Sequence, residues 1–326
     1  MLERTAYQDL LEWKTSAKHK ALLVEGARQT GKTFLIEEFA RREFADCVKV
    51  DFLADSEAAA LFAGVTSAQQ AADALSLISG ARFTPGKTLV FLDEVQEAQN
   101  LVTFSKYLVQ NGLNLIMSGS MLGVELTQVR SFPVGFLRTI TMYPLTFLEF
   151  CTAQGVPTSV IDLIEESCTS KSPLAEAVHQ RLVQLFRLYL VVGGMPEAVQ
   201  THLDERGDLG TVRDVHRDLV RLYREDIAKH AGNRALQVKA IYDALPSQLD
   251  KENKRFQLKS LKKEAKFERF ANDFAWLTSA NIALKTTNVT DPRPMLERSI
   301  EENRFKLYAS DTGMLLSRYR SSAALG

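Results

Sequence analysis

A doubly wound α/β domain, followed by helical segments and a small hairpin, is the fold class predicted for this 326-residue chain. Three observations predict it. Short apolar runs without polar alternation recur between residues 21 and 150, as in parallel strands buried on both faces. Helical patterns with apolar residues at three and four residue spacings fall between those runs. After about residue 150 the strand signals fade and return only as two pieces near the C-terminal end.

In chain order the strand candidates of the first part are ALLVEG, CVKVDF, TLVFLDEV, NLIMSGS and RTITMYP. KTFLIEEFARREF, AQQAADALSLIS and FSKYLVQNG carry the helical spacing between them. Residues 1–150 are therefore expected to form one α/β core. A polar stretch containing Pro157 and Pro173 marks the first boundary, and long helical patterns fill residues 151–232. From 233 to 326 the pattern changes again. Helices in ALQVKAIYDALPSQL and FERFANDFAWLTSANI precede two strand-like pieces, IALKTTNV and RFKLYASD, around a DPRP turn. Helices followed by a small hairpin give the outline of a winged helix.

Composition narrows the class. With 45% hydrophobic and 25% charged residues and no low-complexity tract, the chain reads as globular. Its longest apolar run, LYLVVGGM, is too short to cross a bilayer, and MLERTAYQD lacks a signal-peptide pattern. No membrane partner and a cytoplasmic location are the expectations. Cys47, Cys151 and Cys168 stand far apart, and the five histidines show no ligand spacing, which argues against a zinc site. Basic and acidic residues balance at 40 each, so any attraction to a polyanion has to come from a local patch.

GARQTGKT, from Gly26 to Thr33, fits GxxxxGK[ST] between a predicted strand and a predicted helix. Gly26 and Gly31 remove the Cβ that would block a backbone wrapped round phosphates, so that the amides of Ala27, Arg28, Gln29 and Thr30 and the helix N-terminus face the negative charge. Lys32 would reach the β and γ phosphates, and Thr33 would ligate Mg²⁺ through its hydroxyl. The bland alternative is a glycine loop that only links strand to helix. TLVFLDEV ends in two acids that a core strand has no packing reason to hold. Beside such a loop Asp93 would hold Mg²⁺ and Glu94 would polarise the attacking water, the alternative being a solvated strand end. NLIMSGS ends in Ser118 and Ser120, either a γ-phosphate sensor or ordinary turn serines.

GARQTGKT, FLDEVQ, MSGS, FPVG and YPLTFLEF in that order resemble the bacterial and archaeal AAA-superfamily ATPases that carry a domain known as DUF4143. The Trp13 segment, GGMPEAV, LYREDIAKHA, IYDALPSQLDKENKRFQ and FKLYASDTGML extend the resemblance over almost the whole chain. It implies a P-loop core with strand order 5-1-4-3-2, a helical lid over 151–232, and a winged-helix segment over 233–326 where the DUF4143 region begins. It implies ATP with Mg²⁺ as ligand, places Gly26, Gly31, Lys32 and Thr33 on the phosphate loop, Asp93 and Glu94 on the metal and water-activating pair, and Ser120 on the sensor position. GGMP is similar to a lid motif that packs against adenine in related NTPases, giving Gly194 and Pro196 a binding role; a helix-breaking turn is the alternative. Two departures stand out. Relatives often have arginine directly after the glycine of FPVG, whereas Phe136 stands here, leaving Arg130 or Arg138 as candidate arginine fingers. Such relatives also continue into a domain resembling restriction-type nucleases, and no nuclease centre is visible in these residues.

Residues 251–269 hold eight basic residues (Lys251, Lys254, Arg255, Lys259, Lys262, Lys263, Lys266, Arg269) against three acids. With Phe256 and Phe267 as core anchors, such a segment would lie along DNA phosphates, or be a solvated helix face. The expected function is an ATP-binding, ATP-hydrolysing AAA-type ATPase whose nucleotide state moves a winged-helix module, acting on DNA or on a protein partner or second copy. Its rival is a non-catalytic switch in which ATP fixes one conformation.

Overall fold

The computed structural model describes residues 2–18, 20–80, 84, 86–125, 133, 135–205, 207–262 and 266–319. They fall into two compact units, Glu3–Tyr143 and, from Pro144, the rest of the described chain. That division lies ahead of the boundary expected after residue 150, and the stretches 151–232 and 233–326 share one unit.

In the N-terminal unit the elements run α1 (Ala6–Thr15), β1 (Ala21–Gly26), α2 (Lys32–Glu43), β2 (Asp46–Asp51), α3 (Ser56–Ala63), α4 (Ala68–Ser79), β3 (Thr88–Asp93), α5 (Asn100–Gln110), β4 (Asn114–Ser120), α6 (Leu122–Glu125) and β5 (Leu137–Thr141). The five strands are all parallel, in the order β2-β3-β4-β1-β5, which is the expected order read from the other edge. Every residue of β3 and β4 is buried, which accounts for their unbroken apolar sequences. Period-two alternation sends β1 side chains to both faces. Leu22 and Val24 join Leu10, Trp13, Ile36 and Phe39 of α1 and α2. Ala21 and Leu23 join Phe62, Leu75 and Leu101 of α3, α4 and α5 on the other face. Asp55 and Ser67 cap α3 and α4 by accepting from Ala58 and Gln70 N–H.

The C-terminal unit holds α7 (Phe147–Ala153), α8 (Thr158–Ser170), α9 (Glu176–Val192), α10 (Pro196–Asp204), α11 (Leu209–His230), α12 (Ala235–Leu249), α13 (Phe267–Ser279), β6 (Ala283–Val289), β7 (Ile300–Ala309) and α14 (Thr312–Ser317). Its spine is α11, whose buried stripe runs Val212, His216, Leu219, Val220, Tyr223 and Ile227 at three and four residue spacings. β6 and β7 pair antiparallel. Phe305 of β7 meets Phe274 at 4.8 Å and stacks on Phe256 at 5.9 Å. Of the two predicted anchors Phe256 is buried and Phe267 half-buried, 5.6 Å from Phe305. No single helix among the described residues is long and apolar enough to cross a membrane.

Candidate functional site

The register of the sheet delivers the site. Gly26, the last residue of β1, pairs with Ser120, the last of β4, and Leu92 of β3 pairs with Met117 of β4. The loop after β1, the acids after β3 and the serines of β4 thus share the carboxyl ends of three central strands, where open α/β sheets place their crevices.

Local sterics shape the loop. Gly26, Gln29 and Gly31 have φ of 150°, 63° and 88°. A Cβ on Gly26 would lie 2.2 Å from the Met142 carbonyl oxygen, so the chain leaving β5 alone requires glycine there. Thr30 is buried; its hydroxyl donates to Ala27 O at 2.9 Å, and Arg4 Nη1 donates to Thr30 O at 2.9 Å. α2 then starts at Lys32, with the positive end of its dipole toward the loop.

Lys32 is only 7% exposed. Its Nζ donates to Gly26 O at 3.0 Å and Ala27 O at 2.8 Å. Burial pulls the amine down to about 8, against the raising influence of Glu94 and Asp93. Among the described residues no carboxylate lies within ion-pair distance of it, so a buried cation faces a loop of amides without its counter-charge. A phosphate would supply what is missing.

Asp93 is buried beside it. Thr33 Oγ1 donates to Asp93 Oδ2 at 2.8 Å, Ser118 Oγ donates to Asp93 Oδ1, and Lys49 Nζ stands 3.8 Å from Oδ2. A hydroxyl and a carboxylate in contact at the foot of the loop are a hard-oxygen pair that fits Mg²⁺. Glu94 Oε2 accepts from Ser120 N–H at 3.2 Å and Ser120 Oγ at 3.0 Å. Arg28 Nε stands 3.4 Å from Ser120 Oγ.

The predicted residues Gly26 to Thr33, Asp93, Glu94 and Ser120 are therefore brought together, and Arg138 is not. Arg138 pairs with Leu22 at the far end of the sheet, about 13 Å of strand from the loop, and its guanidinium binds Glu12 at 3.1 Å and Asp9 at 3.5 Å. It is engaged in α1, not poised at a phosphate. Arg130 lies outside the described residues. Gly194 and Pro196 belong to the C-terminal unit. There Gly194 N–H donates to Asp311 Oδ2 at 2.7 Å, its carbonyl accepts from Leu145 N–H at 2.6 Å, and Pro196 opens α10. A Cβ on Gly194 would lie 2.2 Å from Leu145 O, so close packing explains the glycine. Sequence reasoning missed Arg4, Lys49 and Gln96. Only Gln96 left a signal, as the last letter of FLDEVQ.

Comparison with known proteins agrees with this geometry. Residues 18–151 match the profile of an AAA domain family, and residues 183–323 match a domain of unknown function, DUF8612, in place of the expected DUF4143. No curated protein matches the chain. Among solved structures, a Walker-type ATPase of Pyrococcus abyssi superimposes with a TM-score of 0.56 at 15% identity, over 98% of this chain and 96% of that one. The Aeropyrum pernix ORC1 protein in complex with DNA (TM-score 0.33, 15% identity, 96% of this chain and 89% of that one) and AMPPCP-bound DnaA from Aquifex aeolicus (0.35, 14%, 82% and 80%) overlap too loosely to bear on function. The match to an AAA domain family thus falls on the N-terminal unit and its five-stranded parallel sheet.

Proposed function

We propose that the N-terminal unit binds ATP with Mg²⁺ and hydrolyses it, and that nucleotide state is passed to a winged-helix module that engages DNA. The observation that carries the first half is a buried lysine without a carboxylate partner among the described residues, beside a threonine hydroxyl held 2.8 Å from a buried aspartate. In this reading the loop amides and Lys32 grip the phosphates, and Thr33 and Asp93 hold Mg²⁺. The metal supplies neutralisation of the charge that develops on the transferred phosphoryl group. Glu94 takes a proton from the attacking water, and Ser120, joined to Glu94 and close to Arg28, senses the γ phosphate. Phosphate release by the parent, Lys32→Ala and Glu94→Gln, with ATP affinity recorded for each, tests it. Turnover in the parent, binding without turnover in Glu94→Gln and no binding in Lys32→Ala is the expected pattern.

The DNA half is supported by charge placement. Lys259, Lys262 and Lys266 are exposed, and Arg255, Arg304, Lys306 and Tyr308 line an open groove of about 450 Å³ by the β6–β7 hairpin. Cations interleaved with an aromatic ring suit a phosphate backbone. Lys263 lies outside the described residues. Charge reversal at Lys262 and Lys263 together is expected to weaken retention on DNA at low salt; unchanged retention would remove this half.

One observation favours a non-catalytic switch as the second reading: Phe136 stands where an arginine was expected, and Arg138 is held by Glu12 and Asp9. Background phosphate release from a parent that still binds ATP would establish it.

A further inference from the structure

A buried amide lies between the acidic pair and the end of β4, and the nucleotide reading does not use it. Gln96 sits in the short 3₁₀ turn Val95–Ala98 directly after Glu94 and is 8% exposed. Its Nε2 donates to Glu94 Oε2 at 2.5 Å, the oxygen that also takes the Ser120 N–H and hydroxyl. Three donors converge on one carboxylate oxygen. Among the described residues Oε1 accepts none.

The orientation of that amide is fixed by its neighbour. Exchanging its nitrogen and oxygen would set two acceptors against each other at the same contact. In the orientation present, Gln96 Oε1 is buried without a hydrogen-bond partner, a penalty that a residue kept only to fill space has no reason to carry. β4 makes room for it. A Cβ on Gly119 would fall 2.2 Å from Gln96 Oε1 and 2.6 Å from Leu122 Cδ2. Gly119 thus clears space for the amide while Ser120 supplies the other two donors. Glu94 itself has φ 53° and ψ 49°, a left-handed backbone that a non-glycine residue keeps only when its surroundings hold it there.

We propose that Gln96 is a positioning residue for turnover: by occupying Oε2 it fixes the Glu94 carboxylate and leaves Oε1 as the atom that receives the proton of the attacking water. The proposal rests on the reading of Glu94 as the base. In that step the water oxygen bonds to the γ phosphorus and its proton passes to Oε1. The bond from that phosphorus to the bridging oxygen breaks, and its electron pair leaves with ADP.

The test is a double-mutant cycle on the full chain: parent, Gln96→Ala, Glu94→Ala and the double variant, read by single-turnover hydrolysis and by ATP affinity. Gly119→Ala serves as a second route that displaces the amide without removing it. Gln96→Ala and Gly119→Ala are each expected to slow the chemical step by about ten- to a hundredfold with ATP affinity within about twofold of the parent. Gln96→Ala is expected to add no further loss in the Glu94→Ala background. A loss that persists in that background, or that falls on ATP affinity and not on rate, overturns the proposal. Should the parent fail to turn over, the ATPase reading falls by itself, and denaturant unfolding of the same four proteins decides the positioning. Coupling between residues 94 and 96 then upholds the hold of Gln96 on the Glu94 carboxylate, though not its role in turnover, and additive losses overturn both.

Discussion

Each unit buries charge, and each treats it differently. In the C-terminal unit the buried Asp311 takes the Gly194 N–H at 2.7 Å and the Met314 N–H at 2.8 Å, and the buried Asp273 takes the Arg234 fork at 2.9 and 2.5 Å. Their donors come from the chain itself. At the phosphate loop, among the described residues, Lys32 has only carbonyl oxygens, Gln96 Oε1 has no partner, and Glu94 rests in a left-handed conformation. Buried charge that is matched internally fixes a fold, whereas buried charge left short is kept for something that arrives.

The sharpest way to break this contrast is to remove the cation. Lys32→Ala is expected to lower ATP affinity by more than about a hundredfold, since it withdraws a charge-assisted contact to phosphate in a dry site, and calorimetric titration measures it. Glu94→Gln comes next, with single-turnover hydrolysis expected to fall about a hundredfold or more while ATP still binds. On the matched side, Asp311→Ala strips the cap of α14 and orphans the Gly194 N–H. Denaturant unfolding is expected to show a loss of about 3 kcal/mol.

The sign should reverse at the loop. Lys32→Met, tested without nucleotide, is expected to raise stability at pH 7 by about 1–3 kcal/mol, because folding forces a charged amine out of water. Burial has lowered its folded-state value from 10.5 to about 8. The penalty is therefore full below about pH 8 and fades as pH rises toward about 10.5, where the unfolded chain also loses the proton. The stability gap between Lys32→Met and the parent closes over that window. ATP affinity of the parent is expected to weaken above about pH 8, because phosphate binding must then be accompanied by proton uptake.

Contiguous chemistry was the legible part. GARQTGKT and FLDEV announce their roles within eight and five letters, and the strand cores ALLVEG and NLIMSGS match β1 and β4 residue for residue, since burial on both faces leaves no other reading. What depends on register stayed hidden. Whether Arg138 lies at the phosphate end or the far end of β5 is decided by its pairing with Leu22, which no local pattern encodes. The same holds for Gln96, whose environment is made by Gly119 and Ser120 on the neighbouring strand. GGMP stayed open between two readings because a glycine demanded by the Leu145 backbone and one demanded by a ligand look alike in sequence.

Arg4 gives the phosphate loop a reach beyond its own residues. One guanidinium nitrogen holds the Thr30 carbonyl inside the loop, and the other holds the carbonyl of Tyr143, where the chain leaves the N-terminal unit. Loop and exit hang from one planar group. The two hydrogen bonds span 26 and 139 residues of sequence, so the segment ahead of α1 ties the loop to the point where the chain leaves the sheet.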